Sequence, residues 1–287
     1  MTVASDFAPP GTEALRWRVL VDPPFSGPKN MAVDHALAAC SSPGEAVLRI
    51  YRWSCPTVSF GRNEPARDRY DPAVGHDIGI EFVRRPTGGR AVLHDRELTY
   101  AAVLPCPTPG GLRTMYRLIN RGLVRALCSL GVPAAMAGGR GSPAAPDAGP
   151  CFQEPAPGEV TVAGRKLVGS AQARLEGALL QHGSLLIGPG QERLLALSSA
   201  LGSIPADSRM GGNRGVSGRY ERVQAPVSLE EVLNRAPPWY DLVQAVISGL
   251  SGVIGGDWYQ GELTEPERVK SMALTERYAS EEWTWRR

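Results

Sequence analysis

Residues Arg84-Arg85-Pro86-Thr87-Gly88-Gly89-Arg90-Ala91-Val92-Leu93-His94-Asp95 constrain this chain more than any other stretch. They follow the strand-like Ile80-Glu81-Phe82-Val83 and set two adjacent glycines among three arginines. A Gly-Gly pair has no Cβ, so a ligand can lie against bare backbone N–H groups. The flanking arginines can bind an anion or a polarised carbonyl. A later stretch complements the turn: Cys151, then Gly164-Arg165-Lys166-Leu167-Val168-Gly169-Ser170-Ala171-Gln172, then Gln181-His182-Gly183-Ser184. A thiol, an amine and backbone donors are the equipment for moving an acyl group.

The 287 residues can bury a substantial core, and the formal net charge of +2 does not suggest bulk nucleic-acid binding. No run of 18 apolar residues exists, so no membrane span is expected, and Met1 to Gly11 has no signal-peptide core. Cys40, Cys55, Cys106, Cys128 and Cys151 are an odd set without metal-ligand spacing, which points to free thiols in a cytoplasmic protein. Of 31 basic residues only Lys29, Lys166 and Lys270 are lysine. A lysine inside a glycine-rich motif therefore stands out as a compact amine where arginine is the default cation.

The pattern along the chain predicts an α+β fold, a mixed sheet with flanking helices. Residues 1–14 read as disordered and 15–287 as one domain. Strands are expected at Trp17–Val21, Val47–Trp53, Thr57–Phe60, Glu81–Arg84, Ala91–His94 and Leu98–Leu104, then at Val160–Val162, Lys166–Ala173 and Ala178–Ile187. Asn30 is expected to cap a helix over Met31–Ala39. Leu112–Leu130 is the clearest helix, with Met115, Tyr116, Ile119, Leu123, Leu127 and Leu130 on one face and Gly131 and Pro133 ending it. Its other face carries Arg113, Arg117, Arg121 and Arg125, which make either a solvated face or a docking surface for an acidic partner. Gly138–Pro150 and Pro205–Gln224 read as loops. Ser228 with Glu231 predicts a capping box, Trp239–Leu250 a helix, and Thr264 with Glu267 a cap for a last helix towards Trp283.

Cys151 is either the thiolate nucleophile of acyl transfer or an ordinary cysteine. Lys166 can donate to an acyl carbonyl as charge develops there, and as a nearby cation would lower the Cys151 pKa. His182 is either a base or a satisfied structural donor. His94 beside Asp95 reads as a turn-locking pair ahead of a catalytic dyad, and His35 as core. No phosphate-binding loop and no metal site is present in the pattern.

The residues Arg84 to Tyr100, Gly164 to Ala173 and Leu180 to Leu186 resemble the lipoate–biotin protein ligase superfamily. Cys151-Phe152, about fifteen residues ahead of Gly-Arg-Lys, and Tyr278-Ala279-Ser280-Glu281-Glu282-Trp283 narrow the resemblance to LipM-type octanoyltransferases. The resemblance implies a catalytic domain like that of the biotin and lipoate ligases, related to class II synthetases. It implies transfer of an octanoyl group from octanoyl-acyl carrier protein to a lysine of a lipoyl domain, such as glycine cleavage H protein, without a cofactor. It implies Cys151 as acyl-accepting nucleophile and Lys166 as the carbonyl-contacting lysine. Arg85, Gly88, Gly89, His94, Gly169, Ser170, His182 and Gly183 would line the acyl site. The rival expectations are an ATP-dependent lipoate–protein ligase on the same scaffold, whose arginines would hold a phosphate, and a non-catalytic carrier-binding relative.

Overall fold

The computed structural model describes residues 11, 14–138, 152, 156–197 and 225–287. Cys151, the loop expected at 205–224, and most of 1–14 and 138–150 lie outside the described residues. The elements of the first half are β1 (Arg16–Val21), α1 (Gly27–Ala39), β2 (Glu45–Tyr51), β3 (Thr57–Phe60), α2 (Pro72–Asp77), β4 (Glu81–Arg84), β5 (Val92–His94), β6 (Glu97–Pro105) and α3 (Gly111–Ser129). There follow β7 (Ala134–Met136), β8 (Val160–Val162), β9 (Arg165–Leu175), β10 (Ala178–Leu186), α4 (Arg193–Ala196), α5 (Leu229–Leu233), α6 (Trp239–Ile254), β11 (Asp257–Gln260), α7 (Glu265–Ala279) and α8 (Glu281–Thr284). The strands form a large mixed sheet in the order β11-β1-β2-β6-β10-β9-β8-β7 and a small sheet β4-β3-β5, an α+β arrangement.

Alternation along the central strands sends side chains to two faces. Leu48, Ile50, Leu98, Tyr100, Ala102 and Leu104 pack with α3 and α6, whereas Val47, Tyr51, Ala101 and Val103 pack with α1. Both faces are covered, so β6 and β10 read as almost continuous buried runs. Each fully buried Leu or Ile contributes about 1.5–3 kcal/mol of transfer free energy.

The first helix starts earlier than Asn30 predicts. Ser26 is its N-cap residue and Pro28 sits in the first turn, where the fixed φ suits a helix and the missing N–H costs nothing. Asn30 lies inside the helix and donates instead to the carbonyls of Phe25 and Arg52. The last helix is broken rather than continuous to Trp283. Ser280 leaves helical geometry at ψ 139° and its hydroxyl accepts from Trp283 N–H, which starts α8. The Thr264 and Glu267 capping box is present, but at Ser228 only half of one forms. There the Glu231 carboxylate pairs with Arg165 instead. The short elements α2, α4, β7 and β11 have no counterpart in the sequence pattern. β11 is secured by tertiary contact, with Trp258 stacked on Trp17 at 4.7 Å and 2°.

Helices α3 and α6 cross at Gly122 and Gly249. A Cβ on Gly122 would meet Leu250 Cα at 2.8 Å, and one on Gly249 would meet the Ala126 nitrogen at 2.7 Å. Alanine gains about 1 kcal/mol of helix propensity over glycine. Overpacking against backbone that cannot yield costs about 1–3 kcal/mol. Gly249→Ala is therefore expected to lower stability in urea unfolding despite its better propensity. A raised midpoint would show that the two helices separate at little cost.

Candidate functional site

The small sheet lies over the α1 face of the large sheet, and a cavity opens between them. With its mouth it encloses about 440 Å³ of empty space. Tyr51 is the register partner of Thr99, Thr99 of Ser184, and Ser184 of Gly169. These four cavity-lining residues form one row across β2, β6, β10 and β9. At roughly 4.8 Å per strand the row spans about 14 Å. Met31 of α1 and Trp53 after β2 close one side; Ser59, Val92 and His94 of the small sheet close another. Arg85 and Gly89 bring the Gly-Gly turn to the cavity, and Ala171, His182 and Gly183 complete the wall.

Most of the polar residues in this wall spend their hydrogen bonds on one another. Trp53 Nε1 donates to Thr99 Oγ1 at 2.8 Å, and Thr99 Oγ1 donates to Glu97 Oε1 at 2.6 Å. The same oxygen accepts from Ser184 Oγ at 3.0 Å and from His94 Nδ1 at 2.7 Å. With Nδ1 donating, His94 Nε2 accepts the Ser59 hydroxyl at 2.7 Å. Trp53 also stacks on the His94 ring at 4.0 Å. Glu97 Oε2 is buried with no partner among the described residues. The result is a cavity that presents chiefly ring faces, methyl groups and bare strand backbone, which suits an apolar chain.

A second network holds the floor. Asp34 of α1 accepts from Arg49 at 2.7 Å, from Tyr51 at 2.9 Å and from His182 Nδ1 at 3.0 Å. His182 Nε2 in turn meets Thr87 Oγ1 at 2.6 Å. Burial pushes the His182 pKa down, outweighing the pull of Asp34. For Asp34 burial pushes the pKa up, but the His182 hydrogen bond and the Arg49 charge outweigh it and leave the carboxyl below its usual range. His182 is thus a neutral imidazole at pH 7, donating from Nδ1 and accepting the Thr87 hydroxyl at Nε2. This is the structural-donor reading of His182.

Two of the turn's arginines make several bonds to the fold. Arg84, fully buried, donates to the carbonyls of Gly61, Glu64 and Thr284. Arg85 donates to Ser59 and to the carbonyls of Gly88 and Arg90. These bonds hold the turn's shape. A Cβ on Gly61 would run into the Gly89 carbonyl, which explains a glycine there too. The expected His94–Asp95 pair is also corrected. The strand β5 ends at His94 and the chain bends at Asp95, so Asp95 pairs with Arg193 at 3.0 Å while His94 turns inward to Glu97.

Lys166 sits beside the Gly169 end of the row. It is 2% exposed, and its Nζ donates to Glu159 Oε1 at 2.8 Å. Its ammonium also faces the Phe152 ring at 5.1 Å. The space a Gly169 Cβ would need is taken by Phe152 at 3.0 Å and Lys166 Cε at 3.4 Å. Glycine at this position therefore lets the aromatic ring and the amine approach the strand backbone. Glu159, also buried, accepts from Ala156 N–H at 2.7 Å and so ties the 156–159 turn to the lysine. Ser170 points to the other face, where its hydroxyl meets Tyr100 at 2.8 Å. Burial pushes the Tyr100 pKa up to about 12.

Seven of the residues expected to line an acyl site, Arg85, Gly89, His94, Gly169, Ser170, His182 and Gly183, surround one cavity. Gly88 is one step behind, its carbonyl held by Arg85. Arg113, Arg117, Arg121 and Arg125 lie on the outer side of α3, across the large sheet from the cavity. The sequence reading missed Glu159, Asp34, Glu97, Tyr51 and Trp53. Glu97 lies three residues after His94 and was the one recoverable from spacing; the others meet the site only through the fold. Among the described residues no three His, Cys, Asp or Glu side chains gather to hold a metal ion.

Comparison with known proteins agrees with this architecture. The model of the lipoyl protein ligase A/B catalytic domain matches residues 26–251. Octanoyltransferase LipM of Kyrpidia tusciae is 40% identical over 286 residues, covering 94% of this chain and 99% of the relative. Octanoyltransferase LipM of Symbiobacterium thermophilum is 37% identical over 279 residues, covering 94% and 98%. Among solved structures, the putative lipoate protein ligase Ta0514 of T. acidophilum with bound lipoic acid superposes with a TM-score of 0.73 at 22% identity, covering 94% of this chain and all of that one. Lipoate-protein ligase A bound with ATP gives a TM-score of 0.74 at 22% identity, covering 94% and 99%. These two structural likenesses establish the fold, and the match of domain model and full-length relatives establishes more: the chain belongs to the lipoyl protein ligase A/B catalytic domain family and is an acyltransferase.

Proposed function

We propose that this chain transfers an octanoyl group from octanoyl-acyl carrier protein to a lysine of a lipoyl domain, such as glycine cleavage H protein, in lipoate biosynthesis. The observation that carries the reading is the cavity itself. It is an apolar slot that runs along a four-strand row and ends where Gly169 adjoins the buried amine of Lys166. The alkyl chain lies in the slot with its carbonyl at the Gly169 end. Cys151 lies outside the described residues, but its neighbour Phe152 packs against Gly169 and Lys166. That contact favours Cys151 as the nucleophile.

The reaction runs in two halves. The Cys151 thiolate attacks the thioester carbonyl, the carrier's C–S bond breaks, and the carrier thiolate leaves and takes up a proton. The lysine amine of the acceptor then attacks the octanoyl-cysteine. The new C–N bond forms, the C–S bond breaks, and the amine's proton is lost as the Cys151 sulfur is released. Thioester exchange is near balance and amide formation draws the sequence forward, so no ATP is consumed. In both halves Lys166, held by Glu159, donates to the oxygen on which negative charge develops. The commitment of Arg84 and Arg85 to backbone carbonyls favours this reading over an ATP-dependent ligase, whose turn would hold a phosphate.

Two outcomes follow. Intact-mass analysis after mixing with octanoyl-acyl carrier protein, without ATP, is expected to show an octanoyl adduct on Cys151. The adduct should be cleaved by hydroxylamine and absent from Cys151→Ala; a stable adduct on that variant, or a need for ATP, overturns the mechanism. Lys166→Arg is expected to be nearly as damaging as Lys166→Ala, each lowering turnover by about 10²–10³, the usual cost of one oxyanion donor. The guanidinium is larger and planar, and the lysine is packed between Phe152, Gly169 and Glu159. Near-normal turnover with arginine would show that charge alone suffices.

A further inference from the structure

We propose that an arginine cluster formed by Arg62, Arg277 and Arg286, on the outer side of the Gly-Gly turn, is the docking surface for the acidic acyl carrier that delivers the octanoyl group; the carrier's identity as donor rests on the function proposed above. Arg277 and Arg286 lie over the same indole, Trp283, at 3.8 and 3.9 Å from its centroid. Arg286 also donates to the Arg62 carbonyl at 2.6 Å. Three cationic side chains drawn from 62, 277 and 286 are thereby gathered on one surface.

Nothing in the described structure neutralises them. Some arginines of the surface are paired with carboxylates, as Arg193 is with Asp95 and Arg268 with Glu265. Among the described residues no carboxylate pairs with Arg62, Arg277 or Arg286. Partial burial lowers the Arg286 pKa, and the charges of Arg62, Arg287 and Arg277 lower it further. A fold that stacks like charges without a counter-ion offers a site for an external anion. Stacking on Trp283 also holds the guanidinium planes in fixed orientation, which suits bidentate acceptors.

The cluster is fastened to the turn that builds the cavity. Arg62 N–H donates to the Thr87 carbonyl at 2.7 Å, and Trp283 Nε1 donates to the Arg84 carbonyl at 2.8 Å. The inner side of the same turn supplies Arg85 and Gly89 to the cavity wall. An acyl carrier brings a carboxylate-rich surface and a phosphodiester on the arm that bears the thioester. The cluster, not the α3 arginines across the sheet, is on the cavity's side of the molecule.

The test compares Arg62→Glu/Arg277→Glu with the unaltered chain. Both side chains are exposed. With octanoyl-acyl carrier protein the double reversal is expected to lower kcat/KM about tenfold at low ionic strength, the difference closing as salt rises. Octanoyl-pantetheine, which lacks protein and phosphate, should be used equally well by both. Transfer from preformed acyl-enzyme to the lipoyl domain should also be unchanged. Titration of carrier into the same reversals on a Cys151→Ala background reads docking without chemistry and should show about tenfold weaker binding. Unchanged carrier binding overturns the proposal. So does equal loss with octanoyl-pantetheine, loss confined to the acceptor half, or weakening by Arg117→Glu/Arg121→Glu instead. Absence of any octanoyl-cysteine in the unaltered enzyme would overturn the proposed mechanism, while the titration would still decide the docking surface.

Discussion

The buried pair of Asp34 and Arg49 is the contact on which the site depends. Both side chains are fully buried, one on α1 and the other on β2. Arg49 also donates to Asp22 and to the Asn30 side chain and carbonyl, and Asp34 also accepts from Tyr51 and His182. Removing one partner of such a pair typically costs about 3–5 kcal/mol, because the remaining charge is left stranded. The pair therefore sets where α1 sits on the sheet. That placement decides where Met31 stands in the cavity and which nitrogen of His182 carries the proton.

Above this base the small sheet is held by a different kind of contact. Arg84 and Arg85 act as internal cross-links, donating to carbonyls that the irregular 61–64 and 88–90 segments cannot pair within a ladder. The charge that makes these residues conspicuous in the sequence is thus used for backbone satisfaction. The lysine of the later motif differs, since its partner is a carboxylate and its neighbours are a ring and a glycine at the cavity's end.

Much of the fold was legible because its signals are local. The 3.6-residue spacing of Met115, Ile119 and Leu123 gives α3 to within a residue, and the apolar runs give β6 and β10. The glycine motifs located the cavity because glycine is required where backbone meets backbone or ring. What stayed hidden depends on distance in sequence. Asp34 meets His182 across 148 positions, and Trp283 meets Arg84 across 199. Asn30 misled because its donors serve Phe25 and Arg52, not a helix end. His94 misled because the chain bends right after it, which sends Asp95 to Arg193.

The wall in which Trp53, Thr99, Ser184, His94 and Ser59 hydrogen-bond through Glu97 and one another has a consequence for how such a site can vary. Each member serves both a neighbour and the shape of the slot. A single apolar substitution would leave a buried donor or acceptor orphaned, at about 1–3 kcal/mol. Paired changes that remove both ends of a bond would be far less costly. Variation in this wall is therefore expected to arrive in coupled sets, so the residues that look most replaceable by chemistry are bound to change together or not at all.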